Sequence, residues 1–334
     1  MNVLFIGGTG TISEAVSRLA VGRGITLTVL NRGTRPVDIP AEATVLRGDV
    51  RDMAAAEGLL KGRHFDAVVD WVAYTPEQIE MDLALFAGRT DQFIFISSAS
   101  AYQKPPAHYR ITESTPLANP YWQYSRNKIA AEERLMRAYR DDGFPITIVR
   151  PSYTYGRTYV PWAVGCGWTI VDRIRKGKQL IVHGDGQSLW TMTHNTDFAK
   201  GIIGLFGNQQ AIGEAFHITS DEVLTWDQIA QALCAGAGVT PNLIHIPSDF
   251  IAKYAPGIGA GLIGDKACSM VMDNSKIKRA VPDFVATTPF KVGVADAIAY
   301  HDADPARQVV NDELNAVLNR IIAAYEKAFL AEVE

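Results

Sequence analysis

Cysteine is scarce in this chain of 334 residues: Cys166, Cys234 and Cys268 are odd in number and far apart. That excludes a disulfide frame and a cysteine-built metal site, and the three read as buried thiols in a reducing compartment. His183 and His194 have no partners at ligand spacing, so no metal is expected. An excess of one charge sign is also missing. The net charge of −4 leaves no footprint for nucleic acid or an anionic membrane. No uninterrupted apolar stretch reaches the ~20 residues that span a bilayer. The chain starts straight into Val3–Ile6, with no basic stretch before it and no cleavage pattern after it, so a cytoplasmic location is expected.

What is present suits a globular protein with a large core: 47% hydrophobic and 20% charged residues. The length calls for two domains or one enlarged α/β domain. Short β-branched runs at Val3–Ile6, Leu27–Leu30, Ala67–Val72, Phe93–Ile96 and Ile146–Val149 alternate with helix-length segments such as Glu14–Gly22 and Gln78–Phe86. That alternation predicts right-handed βαβ crossovers and a doubly wound α/β fold with a parallel sheet. Asn119 is positioned to cap a helix that has Pro120 first, runs through Gln123–Arg140 and stops at Gly143. Further along, a strand is expected at Ala215–Thr219, a helix at Trp226–Ala235, a Gly-rich loop at Ile258–Gly264 and a helix at Asp312–Leu330. Residues 1–152 with about 187–220 are expected to form the sheet domain. About 153–186 and 221–334 would then form a smaller C-terminal substrate-binding region.

Gly7-Gly8-Thr9-Gly10-Thr11-Ile12-Ser13 directly follows the first predicted strand and opens a predicted helix. In that context a glycine pattern is a dinucleotide-binding turn of the Rossmann type. Gly7 permits the tight turn, and Gly10 lets backbone amides approach a pyrophosphate. The helix N-terminus adds N–H donors and partial positive charge. Ser13 is small enough for the place where a third glycine usually allows close packing. After the second strand stands Asn31-Arg32-Gly33, with no acid to accept a ribose 2′-hydroxyl. Arg32 either pairs with a 2′-phosphate or is a solvated loop residue, so the expected cofactor is NAD or NADP, tilted towards NADP. Asp49-Val50 follows the third strand; Asp49 can receive an adenine amino group, and Gly48-Asp49 is also a turn signal. Val72, Ala73 and Pro151 complete the expected cofactor contacts.

Tyr124 and Lys128 lie four apart on the predicted helix and so share a face. An adjacent ammonium is expected to lower the phenol pKa from ~10 towards neutrality, giving a proton donor and acceptor. Ser97-Ser98 ends the preceding strand, where a hydroxyl can hold a substrate oxygen. A lone Tyr-x-x-x-Lys is weak evidence; the ordered set of glycine turn, acid, serine strand end and Tyr/Lys helix is not.

With those residues in order, the chain resembles the extended short-chain dehydrogenase/reductases, the NAD-dependent epimerase/dehydratase family, over nearly its whole length. Ser98 matches the family's catalytic Ser/Thr. Glu113, Pro116, Tyr124, Lys128 and Glu132 fall on its Glu…Pro…Tyr-x-x-x-Lys-x-x-x-Glu pattern. Arg150-Pro151, Tyr155-Gly156, Gly184-Asp185-Gly186 and His194…Asp197 match later landmarks. The resemblance implies Tyr124 as general acid/base, Lys128 also holding the nicotinamide ribose, Ser98 on the reacting oxygen, and a homodimer through the Tyr124 helix.

Departures from the family pattern bear on the substrate. Ala99-Ser100 replaces the Asp-Glu pair of many sugar dehydratases, which argues against a 4,6-dehydratase. Trp190 stands where nucleotide-sugar members carry a diphosphate-binding Arg, and Tyr153 stands for a substrate-contacting Asn. Either the substrate is less anionic, or Arg157, Lys276, Lys278 or Arg279 compensates. Tyr74 replaces a small residue near the nicotinamide. Trp162, Trp168 and Tyr159 are either core or a sugar-stacking wall, and Cys166 is either an inert buried thiol or close to the substrate. The expected activity is hydride transfer on a sugar or nucleotide-sugar, with a small-molecule substrate and no nucleic-acid or membrane partner. An NADPH-dependent reductase of a smaller or aromatic ketone is the alternative. Similarity of Asn-Arg-Gly to RNA-associated plastid proteins leaves a remote third, a non-enzymatic one.

Overall fold

Bulky residues on both faces make the central strands. In β1 (Asn2–Ile6), Val3 and Phe5 point into one apolar cluster and Leu4 and Ile6 into another, so the strand is buried from both sides. The structure is a computed structural model describing residues 1–34 and 39–330. Positions 331–334 of the expected C-terminal segment therefore lie outside the described residues.

The chain continues through α1 (Thr11–Gly22), β2 (Thr26–Asn31), β3 (Thr44–Arg47), α2 (Met53–Leu60), β4 (Ala67–Asp70), α3 (Pro76–Phe86) and β5 (Phe93–Ile96). It then forms α4 (Gln123–Asp142), β6 (Ile146–Pro151), α5 (Asn195–Ile203) and β7 (Ala215–Ile218). These strands make a parallel seven-stranded sheet in the order β7-β6-β5-β4-β1-β2-β3. The order reverses beside β1, which pairs with β2 on one side and β4 on the other. At such a reversal the chain leaves in opposite directions and opens a crevice at the carboxyl ends of the strands. Helices α1 and α5 cover one face; α2, α3 and α4 cover the other. The predicted doubly wound fold is observed. A third apolar cluster, built around Trp162, Trp190 and Trp226, lies in the later part of the chain, and Leu318 and Ile321 of the expected C-terminal helix pack into it.

Three local expectations are corrected. Strand β4 stops at Asp70, because that carboxylate accepts the amides of Val72 at 2.6 Å and Ala73 at 2.9 Å and turns the chain. Asn119 does not cap α4, which begins at Gln123. Its buried amide instead donates to the carbonyls of Ser100 at 2.8 Å and Gly264 at 2.6 Å, fastening two loops. Gly143 does end the helix, at a left-handed φ of 70°. The stretch Ile258–Gly264 is no loop. It lies in the helix Pro256–Gly261 and the π-turn Leu262–Lys266. A side chain at Gly264 would sit 2.8 Å from the Trp122 Cβ, so glycine serves close packing here rather than a turn.

Candidate active site

A cleft of about 710 Å³ opens at the carboxyl ends of the strands, where the sheet order reverses. The glycine turn forms its floor. Gly7, Gly8, Thr9, Gly10, Thr11 and Ile12 all line it. Gly7 has φ +92°, and a Cβ there would stand 2.6 Å from the Val72 Cγ1, so the turn needs glycine twice over. Ser13 is buried, and its hydroxyl accepts the Gly10 amide at 2.9 Å. The amides of the first turn of α1 have no partner inside the helix. From the far side, the Asn195 amide donates to the Thr11 carbonyl at 2.7 Å and braces the turn.

At one end of the cleft stand Asn31, Arg32, Asp49 and Val50. Asn31 accepts the Gly33 amide at 2.9 Å and shapes the loop that carries Arg32, whose side chain is 67% exposed. Asp49 both lines the cleft and makes a turn, accepting the Arg51 amide at 2.9 Å. Composition and motif gave no sign of Arg51 itself. It lines the cleft and bridges the buried Asp82 at 2.7 Å and Asp70 at 3.3 Å behind the wall. Burial, with the Asp70 charge beside it, pushes the Asp82 carboxyl well above the usual carboxylate range.

At the other end Tyr124, Lys128, Tyr74, Tyr153, Val72 and Pro151 meet. The Lys128 ammonium is buried and donates to the carbonyls of Ala73 and Ile96, each at 2.7 Å. Ala73 thus lies behind the wall and holds Lys128, rather than lining the cleft as expected. The Tyr124 phenol faces the Ser98 hydroxyl, which favours its ionised form. Ser98 is itself outside the lining, but its hydroxyl reaches Ser100 at 2.9 Å, and Ser125 donates to Ser100 at 2.8 Å. The expectation that Lys128 lowers the phenol pKa is overturned. Burial pushes Tyr124 up to about 12, with Ser98 opposing. Lys128 Nζ stays 5.9 Å from the Tyr124 ring centre and is itself brought down to about 8 by burial, with Asp70 and Glu132 opposing. Tyr74, 46% exposed, covers Lys128 with its ring centre 4.5 Å from Nζ.

Among the substituted residues, Tyr153 reaches the cleft, and its hydroxyl is locked onto the Trp162 backbone. Trp190 does not reach it. Its ring is buried against Trp226, 5.8 Å between centres, within the apolar cluster of the later part of the chain. Trp162 and Trp168 are core, whereas Tyr159 is a wall residue. Cys166 is exposed rather than buried, since it sits between Gly165 and Gly167 in an irregular segment. The four expected compensating cations lie elsewhere. Lys276 pairs with Glu214 at 2.6 Å, Lys278 pairs with Asp221 at 2.7 Å, Arg157 covers the Tyr300 ring, and Arg279 is exposed.

The remaining landmarks are braces. Arg150 pairs with Glu132 at 2.6 Å and donates to Tyr102, pinning α4 to β6. His194 accepts the Thr196 amide at the start of α5, and Asp197 receives the amides of Thr287 and Thr288.

A parallel sheet in this order, with a glycine turn at its reversal and a Ser/Tyr/Lys set opposite, defines a Rossmann-type protein of the short-chain dehydrogenase/reductase class. A family profile for NAD-dependent epimerases/dehydratases matches residues 3–219, and the chain belongs to that family. It is 28% identical to the chloroplast stem-loop binding protein of 41 kDa b from Arabidopsis thaliana over 74% of this chain and 67% of that one. Against the UDP-glucose 4-epimerase of Lactobacillus helveticus it is 30% identical, over 45% of this chain and 51% of that one. Its fold matches a dTDP-glucose 4,6-dehydratase from Bacillus anthracis solved with NAD, with a TM-score of 0.74 at 18% identity over 92% of this chain and 98% of that one. Among the described residues, no helix is long and apolar enough to cross a membrane.

Proposed function

We propose that this protein is an NAD(P)-dependent oxidoreductase that moves hydride between the nicotinamide and a carbinol or carbonyl of a sugar or nucleotide-sugar. The observation that carries this reading is the convergence of Tyr124 and Lys128 on one cleft with the glycine turn at its floor, Ser98 standing just behind its wall. The cleft suits a dinucleotide: its glycine turn and the Tyr124/Lys128 pair stand at its floor and far end, with Asn31, Arg32 and Asp49 at the other end. The turn and the start of α1 would hold the pyrophosphate, and Lys128 the nicotinamide ribose. When bound, the nicotinamide supplies the hydride acceptor or donor. Ser98 holds the substrate oxygen and Tyr124 exchanges its proton, with Ser100 and Ser125 behind as a hydroxyl chain.

Asn31-Arg32, in place of a carboxylate at the end of β2, favours NADP, with the exposed Arg32 guanidinium held, among the described residues, only by a 3.9 Å contact to Asp49. Fluorescence titration is expected to show NADPH bound about tenfold more tightly than NADH or better, and Arg32→Ala to remove most of the difference. Equal affinities in the wild type retire the NADP preference. Oxidation of bound NADPH by none of a panel of ketosugars, UDP-sugars and aromatic ketones retires the enzyme reading. Gly7→Ala is expected to cost roughly 1–3 kcal/mol of stability through the left-handed φ, and to weaken the cofactor as well. A melt and a titration on the same sample check both.

The 28% identity to a stem-loop binding protein favours a second reading, RNA binding. Filter binding of a stem-loop RNA, with affinity falling steeply with salt, would support it. The net charge of −4 stands against it.

A further inference from the structure

The position expected to carry a diphosphate-binding arginine holds Trp190, which is sealed in an apolar cluster. A different cation stands beside the reacting end of the cleft. Lys266 closes the π-turn Leu262–Lys266, with its side chain only 15% exposed. Its Nζ lies 5.5 Å from the centre of the Trp122 ring and 5.3 Å from that of Tyr153. Trp122 packs on Tyr124 at 4.9 Å between ring centres, and Tyr153 lines the cleft. The ammonium is therefore one aromatic ring away from the proposed proton donor.

Its backbone is unusually well fixed. The Lys266 carbonyl accepts from His183 Nε2 at 3.1 Å and Trp226 Nε1 at 3.2 Å. Asn119 ties Gly264 of the same turn to Ser100, next to the Ser98 turn. The local charge does not balance. Asp265 is the acid at hand, and its Oδ1 is already engaged by the wholly buried Lys104 at 2.9 Å. Lys266 receives only a 3.8 Å contact from the other oxygen. Two ammoniums thus share one carboxylate in a nearly dry setting. Burial lowers the Lys266 pKa, with Asp265 opposing, as befits a charge that lacks full compensation.

We propose that Lys266 is the anion-binding residue of the substrate site, so that the substrate carries a carboxylate or phosphate held there while its carbinol or carbonyl lies at Tyr124. This rests on the oxidoreductase reading and narrows it to anionic substrates. An anion at Lys266 would take the free ammonium donors and offset the excess charge, while the rings of Trp122 and Tyr153 confine it.

The test uses the full chain loaded with whichever of NADP or NAD it binds. Calorimetry measures binding of D-glucuronate, glucose 1-phosphate, UDP-glucose and neutral D-glucose to the wild type, Lys266→Met, Lys266→Gln and Lys266→Arg. An anionic probe is expected to bind the wild type. Lys266→Met and Lys266→Gln should weaken it by about tenfold or more, with Lys266→Arg retaining most of the affinity. Which probe binds tells carboxylate from phosphate. Cofactor affinity should be equal in all four proteins. Unchanged affinity of the anionic probe in a folded Met or Gln variant overturns the proposal. So does a cofactor-loaded wild type that binds none of the anionic probes. A wild type that binds neither cofactor overturns the underlying reading as well, and that outcome is told apart by the cofactor titration alone.

Discussion

Replacing Tyr124 by Phe is expected to lower turnover by roughly 10²–10⁴-fold, the usual share of a positioned acid/base, while leaving cofactor affinity unchanged. The substitution removes one hydroxyl and keeps the ring that packs on Trp122 and Tyr74. Ser98 would then hold the substrate oxygen with no proton to deliver. With its pKa pushed up to about 12, the phenol is protonated throughout the neutral range. Under the proposed function it would serve as proton donor to a carbonyl, and reduction would not lose this proton across the neutral range. An alkaline limb comes first from Lys128, at about 8. The sign is fixed by its charge: below that pH the ammonium would hold the ribose hydroxyls under the proposed function, and above it the charge is lost. NADPH oxidation followed against pH should fall through about pH 8, and Lys128→Arg should move that limb upward at reduced rate. A Phe variant within about threefold of wild type would sink the assignment of Tyr124.

Glu132→Ala is expected to destabilise the fold by about 3–5 kcal/mol, the cost of stranding one partner of a buried pair. The two side chains are 2% and 6% exposed. Without the carboxylate, the Arg150 guanidinium keeps only weak acceptors in Tyr102 Oη and the Glu113 carbonyl, both at 3.3 Å. Urea unfolding at constant m should show the drop as a lower midpoint. The double variant Glu132→Leu/Arg150→Met should regain most of it, because removing both charges leaves nothing buried and unpaired. A single-variant loss below about 1 kcal/mol would show that Arg150 finds another partner. Because the pair ties α4 to β6, the single variant should also lower turnover at temperatures where it remains folded.

Those two expectations come from different depths of the molecule, and so does the legibility of the site. The strand-turn-helix from Asn2 to Gly22 could be read directly, because its cause is local: β-branched bulk, a turn only glycine permits, and amides at a helix start. The i,i+4 pairing of Tyr124 and Lys128 is local in the same sense. Asn119 misled because a good capping residue near a helix start has no means of announcing that it will be buried between Ser100 and Gly264. Arg51 and its acids Asp70 and Asp82 carried no motif. They become a network only when α3 is laid on the sheet.

Sequence alone determined the parallel doubly wound sheet and the glycine turn between its first strand and first helix, since these follow from periodicity and short spacings, while Ser98, Tyr124 and Lys128 were singled out by their order along the chain and by the family resemblance. Tertiary structure alone decided that burial raises the Tyr124 phenol pKa, that Trp190 is core and that Lys266 packs near the Trp122 and Tyr153 rings. Each depends on how much water is excluded and which charges meet across more than a hundred residues of chain, and neither desolvation nor long-range charge balance is written in local order.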